Sequence, residues 1–249
     1  MNKILLSFII SLIAGLSTII GSLFTYFKPK NINRFIGISL SFSGTIMIAI
    51  SILELIPEGF IYLNNNYNLI LAIFSLIGTF LLSKWLVNQI NNKIIKREGE
   101  KSSLYKIGIL NIIALMIHNL PEGILTFLTT SINTRLGLKI ALAIILHNIP
   151  EGIAISIPIY YSTYSHKKSV VGTLLSGLSE PLGALLAYII LYRFINNTII
   201  SIILIFVGSI MITVSIDEIF QELNKYKLID ILIGTITGII ISILTIILL

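Results

Sequence analysis

A chain of 249 residues with 55% hydrophobic and only 11% charged residues, at a mean hydropathy of +0.98, lies outside the range of soluble globular domains. The length suits one integral membrane domain over residues 1–249, and the absence of cysteine excludes disulfides, thiolate zinc sites and thiol redox chemistry. The net charge of +6 is no nucleic-acid footprint, because the basic residues sit between apolar runs, where they act as topology signals.

Eight spans are predicted, at about 4–27, 36–63, 69–91, 106–130, 136–161, 168–193, 198–222 and 228–249. Each reaches the ~20 residues needed to cross the hydrocarbon core. The first reads as a span rather than a leader, since the apolar run continues to about Phe27 and no Ala-x-Ala follows it. Late in span two lies Glu54-Leu55-Ile56-Pro57-Glu58, with two carboxylates four residues apart. After span three, the polar, basic stretch 92–105 reads as a plain linker.

Spans four and five carry a near-duplicate, His118-Asn119-Leu120-Pro121-Glu122-Gly123 and His147-Asn148-Ile149-Pro150-Glu151-Gly152. On a helix, residues three and four apart share a face, so each copy points an imidazole, an amide and a carboxylate the same way. Two such faces turned together offer nitrogen and oxygen ligands suited to Zn²⁺ or another divalent transition metal. Each proline also removes the hydrogen bond to the carbonyl four residues back, at Ile117 and Leu146, and favours a kink there.

His166, between two spans and beside Lys167 and Lys168, reads as a solvated loop residue. Span six holds Ser176-Gly177-Leu178-Ser179-Glu180-Pro181-Leu182-Gly183. Its glycines permit close helix approach, which would bring Glu180 to the depth of the two histidines. Late in span seven, Asp217 and the pair Glu218 and Glu222 repeat the four-residue spacing of Glu54 and Glu58. One pair falls at the outer mouth and the other at the inner mouth, as an inverted repeat of spans one to three and six to eight would produce.

Loop charge sets the orientation. Lys28, Lys30, Arg34, Lys84, Lys93, Lys96, Arg97, Lys101, Lys106, Lys167, Lys168, Lys225 and Lys227 fall on the odd-numbered connections, against Lys3, Arg135, Lys139 and Arg193 on the other side. The odd connections are therefore cytoplasmic, and both termini are expected outside the plasma membrane. A charge at mid-bilayer costs ~2.5–3.5 kcal/mol on insertion scales, and no Lys or Arg lies near the middle of a span to neutralise these acids. Passing cations are the economical answer. A membrane-embedded metal-dependent hydrolase is the alternative. It has no use for acid pairs at both mouths, and the zincin pattern His-Glu-x-x-His is absent.

The paired His-Asn-x-Pro-Glu-Gly motifs, followed by Ser-Glu-Pro-x-Gly, resemble the ZIP (Zrt/Irt-like) divalent metal transporters, in particular their bacterial GufA-like members. The resemblance covers essentially the whole chain. It implies an all-α protein of eight transmembrane helices in a 3+2+3 arrangement, moving metal into the cytoplasm through a binuclear mid-membrane centre. Carried onto this sequence, His118, Glu122, His147 and Glu151 match one metal site. Asn119, Glu122, Asn148, Glu151 and Glu180 match the second. Some members have Gln and Asp where this chain has His147 and Asn148, which leaves the second site one charge poorer here. Zinc is the expected cargo, with iron, manganese, cobalt and cadmium as further candidates. No cofactor or enzymatic activity is expected. The expected partners are metal ions and the lipid bilayer, with a homodimer as one option for assembly.

Overall fold

The computed structural model describes residues 3–27, 29–98, 103–132, 134–191 and 196–248, without the side chains at 90, 91, 93–98, 103, 136, 139, 143, 147, 190, 191, 218 and 245–248. These residues form helices and no strand. Helix α1 (Lys3–Ser17) tightens into a 3-10 helix over Thr18–Tyr26. Helix α2 (Ile32–Ile50) passes through a π-helical turn, Ser51–Leu55, into α3 (Ile56–Asn66). Then come α4 (Leu69–Glu98), α5 (Ser103–Ile132) and α6 (Thr134–Thr163). Helices α7 (His166–Gly177) and α8 (Ser179–Leu186) are separated only by Leu178, and a π turn over Ala187–Leu191 follows. Helix α9 (Asn197–Val214) runs through a π turn, Ser215–Ile219, into α10 (Phe220–Leu223), and α11 (Leu228–Leu248) ends the chain.

Short polar caps set the helix starts. Asn31, Asn68, Ser165 and Asn196 each accept a backbone N–H three residues on, from Arg34, Leu71, Lys168 and Ile199, at 2.8 to 3.3 Å. Each satisfies a donor that has no partner within its helix. Among the described residues, seven helical segments are long and apolar enough to cross a membrane, from Lys3–Tyr26 to Asn197–Leu223. The eighth expected span falls on α11, where the apolar stretch among the described residues is the shorter Leu228–Leu244. The stretch 92–105 departs from expectation. It is mostly helix, since α4 continues to Glu98 and α5 begins at Ser103. Pro121 lies inside α5, and Pro150 and Pro158 inside α6, yet both remain single helices.

The packing has an internal two-fold. Helices α5 and α6 lie against each other, with α8 on α5 and the 3-10 part of α1 on α6. Outside them α2 pairs with α11, and α9 pairs with α4 in the same manner. The repeat in the sequence is longer than its acid pairs indicate. Phe42, Gly44, Ile46, Met47, Ile48, Ser51, Ile52, Glu54 and Glu58 recur as Phe206, Gly208, Ile210, Met211, Ile212, Ser215, Ile216, Glu218 and Glu222, and both copies contain a π turn at the first glutamate. Gly15-Leu16-Ser17-Thr18 and Gly21 recur as Gly177-Leu178-Ser179-Glu180 and Gly183. Both of these copies leave regular α-helix within this stretch, at Thr18 in the first and at Leu178, two positions earlier in the repeat, in the second.

The two halves meet through backbone. A Cβ on Gly15 would stand 2.2 Å from the Gly177 carbonyl oxygen, and one on Gly177 would stand 2.1 Å from that of Gly15. Gly123 approaches the Glu180 carbonyl and Gly152 the Thr18 carbonyl equally closely, at 1.8 and 1.9 Å for an added Cβ. In a bilayer, where apolar side chains gain little by leaving lipid, such small-residue contacts are a main source of helix association.

His166 is not simply solvated. Its ring stacks between Tyr26 and Tyr160, at centroid distances of 4.1 and 4.5 Å, and its Nδ1 lies 2.9 Å from the Thr25 hydroxyl oxygen. Thr25 already donates its proton to the Ser22 carbonyl at 2.7 Å, so Nδ1–H of His166 is the donor to Thr25. The stack clasps the end of α1 to the α6–α7 connection. Its components lie far apart in sequence.

The glycine contacts predict that Gly123→Ala lowers stability by about 1–3 kcal/mol or more, since backbone rather than a movable side chain would have to shift. Gly78→Ala on α4, where an added Cβ meets nothing within 4 Å, should be neutral or stabilising by up to about 1 kcal/mol. Thermal unfolding of the two purified variants in detergent measures the contrast.

Candidate metal centre

The polar groups converge where α5, α6 and α8 meet. His118, Asn119, Glu122, Asn148, Glu151 and Glu180 are all buried, none more than 4% exposed. The four-residue spacing on α5 works as expected, with His118 Nε2 3.1 Å from Glu122 Oε1. The same nitrogen lies 3.1 Å from Glu151 Oε1 on α6, so one imidazole ties both copies of the motif together. Glu180 joins them through Asn148, whose Nδ2 donates to Glu180 Oε1. His147 lies on α6 four residues before Glu151, but its side chain is outside the described residues.

The two asparagines play matching parts. Asn119 Nδ2 donates to the Ser176 carbonyl of α7 at 3.3 Å, and Asn148 Nδ2 donates to the Ala14 carbonyl of α1 at 2.9 Å. Ser176 and Ala14 are equivalent positions of the internal repeat. With the amide nitrogens so engaged, Asn119 Oδ1, Asn148 Oδ1, Glu151 Oε2 and Glu180 Oε2 have no hydrogen-bond partner among the described residues. Buried oxygens left without donors are costly and fit a cation that completes them. Among the described residues no three acidic or histidine side chains already form a cage. The Nε2 edge of His118 lies between two carboxylates, and the His147 side chain is outside the described residues.

Two contacts that the motifs did not reveal brace the helices of the centre, and a third lies away from it. Pro158 has no N–H for the Ala154 carbonyl, and Asn111 Nδ2 supplies the missing donor from α5 at 2.7 Å. Ser43 of α2 donates to the Pro150 carbonyl at 2.8 Å. At the end of α10, Lys225 Nζ pairs with Glu222 Oε2 at 2.5 Å. The expectation that the buried acids lack basic partners therefore fails at Glu222. Its partner lies in the turn just after α10, three residues on. Burial and then the Glu222 charge push the phenol of Tyr226, in that turn, up to about 12, so it stays protonated at neutral pH.

The mouth residues divide. Glu54, in the first π turn, and Glu58 line a cavity of about 50 Å³ that reaches Pro121 and Glu122, with Ile144 and Val207 among its apolar walls. Asp217 is half-buried in the third π turn, Ser215–Ile219, and no described contact brings it to the centre. The side chain of Glu218 lies outside the described residues. The internal repeat, with glycines and π turns in register, was the available signal for Asn119 and Asn148 as paired anchors.

Residues 88–246 match the pattern of a family described as ZIP Zinc transporter. Curated relatives named "Zinc transporter ZupT" match nearly end to end. The one from Clostridium perfringens is 35% identical, over 91% of this chain and 89% of its own. The one from Oceanobacillus iheyensis is 36% identical over 91% of each, and the one from Streptococcus mutans 37% over 88% of each. With the family pattern spanning most of the chain and relatives aligned over about nine-tenths of it, this multi-pass membrane protein belongs to the ZIP zinc transporter family.

Proposed function

We propose that this chain, as a single domain over residues 1–249, carries Zn²⁺ into the cytoplasm across the plasma membrane through the buried centre between α5, α6 and α8. The observation that carries the reading is the joining of that centre to a mouth. Glu122 belongs both to the His118 cluster and to the cavity lined by Glu54 and Glu58. A cation entering that cavity exchanges hydration for carboxylate oxygens at each stage. The bias of Lys and Arg toward the odd-numbered connections supports an orientation with both termini outside. In it, Glu54 and Glu58 capture metal and Glu222 lies on the release side.

The donor set supports two adjacent ions. His118, Glu122, His147 and Glu151 form one site, and Asn119, Glu122, Asn148, Glu151 and Glu180 form the other, with Glu122 and Glu151 shared. Imidazole and carboxylate without thiolate suit Zn²⁺ and admit Fe²⁺, Mn²⁺, Co²⁺ and Cd²⁺. The relatives' names support zinc as cargo. A hydrolase gains no support, because acid pairs along a path serve movement of an ion rather than activation of a single bound water.

Glu122→Ala and Glu151→Ala should each lower Zn²⁺ flux into proteoliposomes by about 100-fold or more, since loss of even an outer partner of a metal ligand costs 10–100-fold. The protein should remain in the membrane. His118→Ala should weaken Zn²⁺ binding more than Asn119→Ala, because imidazole is the stronger ligand. Near-normal flux in Glu122→Ala would remove the binuclear reading. Along the path, Glu54→Gln and Glu58→Gln should raise the external Zn²⁺ concentration for half-maximal uptake several-fold at unchanged maximal rate. Glu222→Gln should lower the maximal rate instead. Uptake curves for the three variants separate the two effects, and a common wild-type curve would remove the pathway.

A further inference from the structure

The internal two-fold pairs His118 with His147, Asn119 with Asn148 and Glu122 with Glu151. It is broken at one place in the centre. Where α8 contributes Glu180, the equivalent position after α1 is Thr18. The equivalence holds in space, since Gly123 touches the Glu180 carbonyl as Gly152 touches the Thr18 carbonyl. Gly152 directly follows Glu151, so the Thr18 backbone runs beside the ligand set.

The Thr18 hydroxyl is fully buried and has no hydrogen-bond partner among the described residues. Thr45, Thr126 and Thr130 share this lack among the described residues. A helical threonine ordinarily donates to a carbonyl three or four residues back, as Thr79 does at 2.8 Å and Thr213 at 2.7 Å. At Thr18 both acceptors are taken. The Ala14 carbonyl already accepts Ser17 Oγ at 2.6 Å and Asn148 Nδ2 at 2.9 Å, and the Gly15 carbonyl is packed against Gly177. The backbone also tightens to a 3-10 helix at this residue, which moves its side chain off the α-helical register.

Resting on the proposed metal centre, we infer that Thr18 Oγ1 is a further oxygen ligand to the transported cation, on the face opposite Glu180. The centre then has a carboxylate on one face and a neutral hydroxyl on the other. A neutral hydroxyl adds coordination without adding charge. Asn148 links the two faces, since its amide nitrogen holds both the Ala14 carbonyl of α1 and the Glu180 carboxylate.

Calorimetric Zn²⁺ binding to the purified full chain tests the assignment with Thr18→Val, of nearly the same shape, and Thr18→Ser, which keeps the hydroxyl. Loss of about tenfold in affinity for Thr18→Val, with Thr18→Ser within about twofold of wild type, is expected for loss of a neutral oxygen ligand. Equal binding in wild type, Thr18→Val and Thr18→Ser, while Glu122→Ala loses binding, overturns the Thr18 assignment and leaves the centre standing. Unchanged binding in Glu122→Ala fails the centre itself. Because the chain has no cysteine, Thr18→Cys gives a single thiol that keeps the test open if Thr18→Val does not fold. Cd²⁺ should then produce a thiolate-to-cadmium charge-transfer band and protect the thiol from maleimide. Absence of both overturns the assignment.

Discussion

Contact of backbone with backbone at four glycines is the constraint on which the centre depends. Helices α1 and α7 cross where Gly15 and Gly177 face one another's carbonyls, and α5 and α6 reach α8 and α1 through Gly123 and Gly152. Any side chain at those points would push the flanking helices apart. The consequence reaches the chemistry directly. Asn148 can hold the Ala14 carbonyl and the Glu180 carboxylate together only because α1 and α8 approach α6 so closely. The glycines of span six therefore set ligand geometry as well as packing.

A second constraint is electrostatic. His118, Glu122, Glu151 and Glu180 sit together in a region where an isolated charge is expensive. The described contacts satisfy part of the set: the imidazole contacts two carboxylates and an amide holds the third. The oxygens still without donors are the part left for an ion. At Glu222 the same problem has a different solution, an ammonium from the adjoining turn. The pair Glu54 and Glu58 lines the cavity that reaches Glu122.

Much of this was legible in the sequence because it is local. Apolar runs located the spans to within a few residues, and the four-residue spacing of His118 and Glu122 on a helix brought their side chains into contact. The duplicated motif placed α5 beside α6. What was missed depends on partners far along the chain. His166 looked solvated beside Lys167 and Lys168, since Tyr26 and Thr25, which enclose it, come from the other end of α1. Asn111 carried no motif, and its role emerges only from Pro158 on the neighbouring helix. The polar stretch 92–105 was read as linker on composition, yet α4 and α5 extend well into it. The repeat of Gly15 to Gly21 in Gly177 to Gly183 was present in the letters, but Thr18 opposite Glu180 disguised it.

The crossing of Gly15 with Gly177 also bears on how the molecule is made. A ribosome delivers these two residues far apart in synthesis, with α2 to α6 emerging between them. Until α7 and α8 arrive, the nascent chain holds His118, Glu122 and Glu151 in the bilayer without Glu180, and α1 has no mate for its glycine face. The growing protein must keep that half-built polar cluster away from lipid while it waits. Completion of the cluster waits for α7 and α8, whose arrival closes the crossing and supplies Glu180. A chain interrupted after α6 would leave its acids exposed in the membrane, a defect that a quality-control protease could recognise without ever testing for transport.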